Sequence, residues 1–402
     1  MQQTRNNVII KTREQSAGRM RFIVYCLFGI MFFFAISSTM VGILVPEIIS
    51  AYDLTNTQIG IIGSVQSAGS IAAMVFGGIL SDRFPKLRLI MISFVAYTAI
   101  LFGIGMAPAY KMLLALFLGL GIANSYLNLL ISAFISEAYG ERRTTYLNMV
   151  HAFFSMGSLA GPAYASVFLQ RGQTWNQSFM ALGLLCSIVI LVFITIAIPV
   201  REREGAAKSK QLMKDVYRLL TDKHILILSL LSSAYMGHQA AVGLWIAAYM
   251  QDGLGLSQTM GSASLTLFWA GIVIGRLMQP VIAKKIKYER WLSSSCCISA
   301  ILYAGAFALE RGSLLILVLF LVGSLTGAAY PSIIAMACSR FPNLSGTATS
   351  ALSLINALIG AVLSAMIGML VDAGGFAIGM MMIPVLMLLC TIILAFYQRL
   401  TE

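Results

Sequence analysis

The stretch Gly78-Ile-Leu-Ser-Asp82-Arg83-Phe-Pro-Lys86-Leu-Arg88 separates two long apolar runs, at 58–81 and 88–107. Each run has the length of a membrane-spanning helix, which needs about 20 mostly apolar residues. A glycine lets two helices approach closely, and an acid followed by bases can join neighbouring helix ends. Basic residues also collect in cytoplasmic loops. The stretch therefore predicts two membrane helices connected by a short, charged cytoplasmic loop.

The composition of the whole chain agrees with a protein embedded in lipid. Of its 402 residues, 59% are hydrophobic and 10% are charged, and the mean hydropathy is +0.86. Soluble domains carry about 25% charged residues. The composition therefore excludes a soluble enzyme, a nucleic-acid-binding domain and a disordered regulator. The net charge of +12 is explained by basic cytoplasmic loops, so no nucleic-acid partner is expected.

Apolar runs long enough to cross a membrane recur along the chain, and we predict an all-α membrane protein. Twelve spans are expected: 22–45, 58–81, 88–107, 112–136, 144–169, 178–199, 224–249, 258–282, 291–309, 312–337, 346–371 and 376–397. If the N-terminus is cytoplasmic, 23 of the 27 Lys and Arg residues lie in inside segments and three in outside loops. This asymmetry predicts cytoplasmic termini and a multi-pass protein of the cytoplasmic (inner) membrane.

The longest hydrophilic break divides the spans into two sets of six. We expect an N-terminal half at 1–199, a cytoplasmic linker at 200–223 and a C-terminal half at 224–402. Leu212, Val216, Leu219 and Leu220 share one helical face in the linker, which predicts an amphipathic helix lying in the membrane plane. A solvated linker is the alternative. Two pseudo-symmetric halves are typical of transporters that alternate access to a site near the midplane.

The stretch at 78–88 resembles the G-x-x-x-D-R-x-G-[RK]-x-[RK] loop signature of the major facilitator superfamily, with Pro85 at the second glycine. Gly271 and Arg276 repeat its spacing in the eighth span, with Gly275 in place of the acid. The resemblance implies a conformational latch at the cytoplasmic helix ends. Its predicted members are Gly78, Asp82, Arg83, Glu137, Arg142, Arg276 and Arg340.

Within this superfamily, several segments resemble the fucose/glucose/galactose–proton symporter group. They are Asn148-x-x-His151-x-Phe-Phe154-x-x-Gly157-x-x-x-Gly161-Pro162, Tyr235-x-Gly237-x-Gln239, Phe268-Trp269-x-Gly271 and Gly327-x-x-x-Tyr330-Pro331. Gln239 stands where members of the group commonly have a carboxylate. The resemblance implies transport of a sugar, and the glutamine makes proton coupling through this position doubtful.

Polar side chains inside apolar spans are the default candidates for a substrate site, because lipid penalises them. Asn124 and Asn128 are four residues apart and share a helix face, and their amides suit a neutral polar solute. Hydrogen bonding between helices is the competing explanation. The full predicted substrate-binding set is Gln66, Asn124, Asn128, His238, Gln239, Trp245, Trp269, Tyr330 and Asn356. No fixed charge is expected at mid-depth.

Candidates for a coupling proton are few, because the carboxylates all fall at or beyond the ends of the predicted spans. His238 and His151 lie within spans and titrate near neutral pH when unperturbed. Glu47, just after Pro46, is a weaker candidate. The alternative for each is a structural role, bonded to a carbonyl of a neighbouring helix, and we rank His238 above His151 as the functional residue.

The sequence therefore predicts a monomeric secondary transporter for a small neutral, sugar-like solute, coupled to protons. An exporter of amphipathic compounds and an uncoupled facilitator are the alternatives, and a non-transporting scaffold is disfavoured by the polar side chains at mid-depth. The six cysteines show no metal-ligand or disulfide spacing, and no nucleophile–base pair or phosphate-binding loop is visible. We expect no enzymatic activity, no metal and no cofactor, with lipid and a small-molecule substrate as partners.

Overall fold

The computed structural model describes residues 2–81, 84–139, 143–197, 219, 221–282, 286–341 and 344–401. Every regular element in these ranges is a helix. They are α1 (Gln2–Tyr52), α2 (Asn56–Ser81), α3 (Lys86–Gly105), α4 (Tyr110–Tyr139), α5 (Arg143–Gln170), α6 (Trp175–Ala197), α7 (Lys223–Ala248, extended by a π-helical turn, Tyr249–Gly253), α8 (Gln258–Ile282), α9 (Tyr288–Leu309), α10 (Gly312–Thr326), α11 (Ala329–Arg340), α12 (Ser345–Met380) and α13 (Met382–Thr401). The prediction of an all-α fold is confirmed.

Eleven helices in the described residues are long and apolar enough to cross a membrane, counting α10 and α11 together. The predicted second span is also a helix, α2, but is not among these eleven. Two predicted boundaries differ. The first helix begins at Gln2, well before residue 22, and α12 runs past residue 371 to a kink at Gly375, where φ is +77°. Glycine suits this kink because it lacks the Cβ that disfavours positive φ.

Short connections place the helix termini at two ends of the molecule. At one end the Tyr52 hydroxyl donates to the carbonyl of Ala107 at 2.7 Å, and Tyr110 donates to the carbonyl of Gln58 at 2.8 Å. We call this the Asp53 end, after the loop that follows α1. The opposite end carries the start of α3, and we call it the Lys86 end.

Helix pairing in the first six helices recurs in the later ones. In α1–α6, α1 packs on α5 and α6, α2 on α4, and α3 on α4 and α6. In α7–α13, α7 packs on α12 and α13, α8 on α10, and α9 on α10 and α13. The largest contacts between the two sets are those of α1 with α7, α2 with α12, and α5 with α8. Polar groups on α5 and α8 are thereby brought to the boundary between the sets.

Glycines permit the closest of these contacts. A Cβ on Gly42 of α1 would overlap the carbonyl oxygen of Gly243 in α7. A Cβ on Gly60 of α2 would overlap the carbonyl oxygen of Ser364 in α12. Backbones approach this closely only where a side chain is absent.

Candidate functional site

A break between α10 and α11 leaves two backbone carbonyls to be satisfied from other helices. Pro331 has no N–H, so the carbonyl of Gly327, four residues earlier, lacks its usual helical donor. Arg276 of α8 supplies the missing donor, since its Nε donates to the Gly327 oxygen at 3.2 Å. Gly327 is required for the approach, because a Cβ there would overlap the carbonyl oxygen of Ile272. These contacts explain the Gly-x-x-x-Tyr-Pro motif physically.

The second carbonyl is satisfied from α7. The Tyr235 hydroxyl donates to the Thr326 oxygen at 2.8 Å, and the Gln239 amide donates to the Tyr235 hydroxyl at 3.1 Å. Both side chains are almost fully buried. Gln239 is therefore held by a tyrosine one helical turn away.

Arg276 also reaches across the boundary to α5. Its Nη1 donates to the Ser155 hydroxyl, which in turn donates to the carbonyl of His151 at 2.8 Å. Ser155 is twelve residues into α5, about 18 Å along the helix axis. We define the break cluster as Ser155, Tyr235, Gln239, Arg276 and the carbonyls of Thr326 and Gly327. It lies at mid-depth, between α5 and α7–α11.

The break cluster carries a fixed positive charge. In the part of the chain that the structure describes, Lys86 and Glu137 form the ion pair that is resolved, and no carboxylate pairs with Arg276. The expectation of a mid-depth lining without fixed charge is therefore wrong. The sequence put Arg276 near the cytoplasmic end of its span, but its guanidinium contacts Ser155, twelve residues into α5.

A second group of polar atoms lies on α4. Asn124 is 4% exposed, and neither its amide nitrogen nor its amide oxygen has a hydrogen-bond partner among the described residues. The same holds for the amide oxygen of Asn128 and the hydroxyl of Tyr126. Buried amides are normally paired, because leaving them unpaired costs about 1–3 kcal/mol each. These atoms have the character expected of a ligand-binding surface.

The remaining predicted substrate residues occupy different surroundings. Asn356 bridges α12 to α7, donating to Ser232 at 2.8 Å and accepting from Ser233 at 2.9 Å. Trp245 is fully buried, whereas Gln66, Trp269 and Tyr330 are half-buried. The indole nitrogens of both tryptophans lack a partner in the described residues. Asn356 thus joins α12 to α7 through two hydrogen bonds.

The coupling candidates are also dispersed. His238 is fully buried, bonded through Nε2 to the Tyr303 hydroxyl at 2.9 Å and flanked by the rings of Tyr235 and Phe268. His151 is exposed, and its carbonyl accepts from Ser155, the residue to which Arg276 donates. Glu47 is half-buried near the Asp53 end, and its Oε2 has no partner among the described residues. Of the three, His151 is the one next to the break cluster.

The predicted latch residues do not form one cluster in the described structure. Asp82, Arg83 and Arg142 lie outside the described residues, and Gly78 lies in α2. Glu137 pairs with Lys86 at 2.8 Å, and the Arg340 guanidinium lies 3.3 Å from His224. Arg276 belongs to the break cluster instead. Sequence reasoning missed Ser155 and Tyr235 as site residues, although both stand in the motifs quoted above.

Curated relatives cover most of the chain at low identity. The cis,cis-muconate transport protein of Acinetobacter baylyi is 22% identical over 363 residues, covering 87% of each chain. A putative glucose/galactose transporter of Helicobacter pylori is 21% identical over 364 residues, covering 84% of this chain and 86% of its own. The inner membrane transport protein YdiM of Escherichia coli is 24% identical over 300 residues, covering 72% of each. These relatives are membrane transporters, not enzymes.

Solved structures share the fold. A bacterial homologue of the human lysosomal transporter Spinster, in an inward-facing and unoccupied conformation, superposes with a TM-score of 0.79 at 14% identity, covering 95% of this chain and 97% of its own. A D-xylose–proton symporter superposes with a TM-score of 0.77 at 16% identity, covering 94% and 97%.

The family profile of the Major Facilitator Superfamily matches residues 27–365, which is most of the chain. The apolar helices and the inner-membrane relatives identify a multi-pass integral protein of the inner membrane. The resemblance of the loop at 78–88 to the superfamily signature is thereby confirmed at the level of the family. Profile, fold and relatives agree: the chain belongs to the Major Facilitator Superfamily of membrane transporters.

Proposed function

We propose that this protein is a secondary transporter that moves a small polar solute across the inner membrane by alternating access. Its moving bodies are two six-helix halves, residues 1–199 and 224–402, joined by the segment 200–223, with both termini in the cytoplasm. The recurrence of helix pairing in α1–α6 and α7–α13 supports the halves. The distribution of Lys and Arg in the sequence supports the orientation.

The observation that carries this proposal is the break cluster. Arg276 of the second half donates to Ser155 of the first half at mid-depth, so the polar groups stand where two rocking bodies meet. Transporter binding sites are typically formed near the midplane by broken helices, whose unpaired backbone groups are available to bind the solute. The unpaired amides of Asn124 and Asn128 add donors and acceptors for a polar solute.

The narrower prediction from the sequence is a neutral, sugar-like solute. The names of a glucose/galactose transporter and a D-xylose–proton symporter among the similar proteins support it. The name of the cis,cis-muconate transport protein indicates a different solute. Because Arg276 is charged, the lining is not neutral and does not favour a neutral solute. We therefore keep the broader class, a small polar solute, for the function itself.

We further propose that a proton is the coupling ion, that no cofactor takes part, and that the monomer is the functional unit. His151 is the preferred coupling group because it is exposed and its carbonyl is bonded to Ser155, which also accepts from Arg276. His238 is less suited, since it is enclosed by aromatic rings and bonded to Tyr303. Glu47 is the second choice, with an unpaired carboxylate oxygen in the described structure.

The proposal is tested by solute counterflow into proteoliposomes, using a panel of labelled sugars, polyols and organic acids. We expect at least one solute to exchange. For that solute, Asn124→Leu and Asn128→Leu should weaken binding by about 1–3 kcal/mol, because each removes a hydrogen-bonding amide. Gln173→Leu, a matched change in an exposed loop, should have no effect. Unchanged affinity in both α4 variants would return these amides to a structural role.

A further inference from the structure

The break cluster contains a positive charge that neutral groups alone hold in place. Both described acceptors of Arg276 are uncharged, namely the Gly327 carbonyl and the Ser155 hydroxyl. A guanidinium carries five N–H donors in a planar fork, and these bonds use one at Nε and one at Nη1. The rest of the fork has no acceptor among the described residues.

The carboxylates of the described structure lie too far along the helices to neutralise this charge. Those whose side chains the structure describes stand at the two ends of the molecule: Glu47, Asp53, Asp252, Glu310 and Asp372 at the Asp53 end, and Glu137, Asp222 and Glu289 at the Lys86 end. A charge at mid-depth without a counter-ion is costly in a membrane protein, and such a charge usually marks a functional site. A bound anion would remove much of this cost.

From these observations, and resting on the transport function proposed above, we infer that the solute carries a carboxylate and that Arg276 is its anchor. The planar fork matches a carboxylate in a bidentate geometry. Its direction is fixed in advance, because Nε and Nη1 are held by groups from two different helices. A solute that engages the free side of the fork would contact a residue already bonded to both halves.

A carboxylate fits the cluster better than a phosphate. A phosphate monoester carries about two negative charges near neutral pH, and its sites generally combine several cations or helix N-termini. In the described residues, Arg276 is the permanent cation of the break cluster, and the other members are a serine, a tyrosine and an amide. One arginine balances one carboxylate.

The experiment compares matched neutral and charged probes on the full-length protein. Thermal unfolding in detergent is followed with D-glucose against D-glucuronate, and with 1,6-hexanediol against adipate. Ligands that bind the folded state raise its unfolding temperature. We expect the carboxylate of at least one pair to stabilise the protein and its neutral counterpart to do so far less. In Arg276→Gln, carboxylate affinity should fall about 10- to 100-fold. Arg311→Gln, at an exposed arginine of the Asp53 end, should bind like the unmodified protein.

The outcomes separate this inference from the proposed function. Carboxylate binding that survives Arg276→Gln overturns the anchor. Binding and counterflow of sugars or polyols alone overturn the carboxylate while leaving transport in place. Absence of both binding and counterflow across the whole panel, with folded protein in the vesicles, counts against both. Because Arg276→Gln loses two helix-to-helix bonds, Ser155→Ala serves as a second variant: it removes one of those bonds and keeps the charge, so carboxylate binding should weaken only a few-fold.

Discussion

The Asp53 end and the Lys86 end of the molecule differ in how the first six helices contact the later ones. At the Asp53 end, Asp372 of α12 accepts from the backbone N–H groups of Asn56 and Thr57, at 2.9 and 2.7 Å, and from the Asn56 side chain at 2.9 Å. Ser64 donates to the carbonyl of Ala361 farther along the same pair of helices. A row of bonds thus joins α2 to α12.

At the Lys86 end, three side-chain contacts of the described residues each lie within one set of helices. Lys86 pairs with Glu137, Tyr139 stacks on Tyr146 with ring centroids 3.6 Å apart, and Arg340 contacts His224. In the proposed orientation, the bonds between α2 and α12 lie on the outer side of the membrane. The contacts at the Asp53 end are the ones that must break when the molecule opens there.

The largest effect is expected from Gly60→Val. Overpacking of a close contact costs about 1–3 kcal/mol or more, and the overlap here is with the backbone of Ser364, which cannot rotate away. The variant should hold the Asp53 end open and abolish transport. Spin labels at Asp53 and Ala373, in a background without native cysteines, would report the separation as a longer distance. Gly305→Val, at a glycine with open space around it, is the matched control. An unchanged distance distribution would contradict closure through α2 and α12.

A smaller effect is expected from Asp372→Asn. The amide keeps one acceptor oxygen but loses the charge, and hydrogen bonds to charged groups exceed neutral ones by about 1 kcal/mol. That difference corresponds to a shift of the equilibrium by about fivefold toward the open Asp53 end. The same pair of spin labels measures it. Glu310→Gln, a matched loss of charge at an exposed position of the same end, should leave the distances as they are.

The smallest effect is expected from Glu137→Gln. Its carboxylate is largely exposed, and exposed ion pairs contribute about 0–1 kcal/mol. Since this pair joins α3 to α4 within one set of helices, transport should change little and the unfolding temperature only slightly. Lys86→Met provides the reciprocal variant. If Glu137→Gln instead stopped transport, Glu137 would act as a member of the conformational latch that the sequence predicted. The Lys86 end would then also take part in joining the two sets of helices.

The sequence was sufficient for some residues and insufficient for others. The Gly-x-x-x-Asp-Arg loop and the helical runs identified the superfamily, because composition and length respond directly to the lipid environment. The Tyr-Pro of α11 was recognised as a motif, but the sequence did not show which structural role it has. The sequence shows that the Gly327 carbonyl lacks a helical donor, because Pro331 has no N–H. It does not show that Arg276, from another helix, supplies the hydrogen bond.

Asn356 and His238 also show that the sequence does not reveal whether a polar side chain is already paired with another helix. Both were sensible site candidates, since lipid penalises polar groups in apolar helices. The structure pairs Asn356 with two serines of α7 and His238 with Tyr303 of α9, partners more than sixty residues away. Asn124 is 4% exposed and remains unpaired in the described residues. No local pattern distinguishes these three side chains.

The sequence by itself thus determined the all-helical membrane fold, the family and the set of polar side chains from which a site can be built. These depend on hydrophobicity and on short-range spacing, which are properties of one segment at a time. The tertiary structure decided which polar groups are satisfied, where the charge of Arg276 lies, and which helices are bonded at the Asp53 end. Those depend on the packing of α5 on α8 and of α2 on α12, and contacts between segments a hundred or more residues apart leave no local pattern in the sequence.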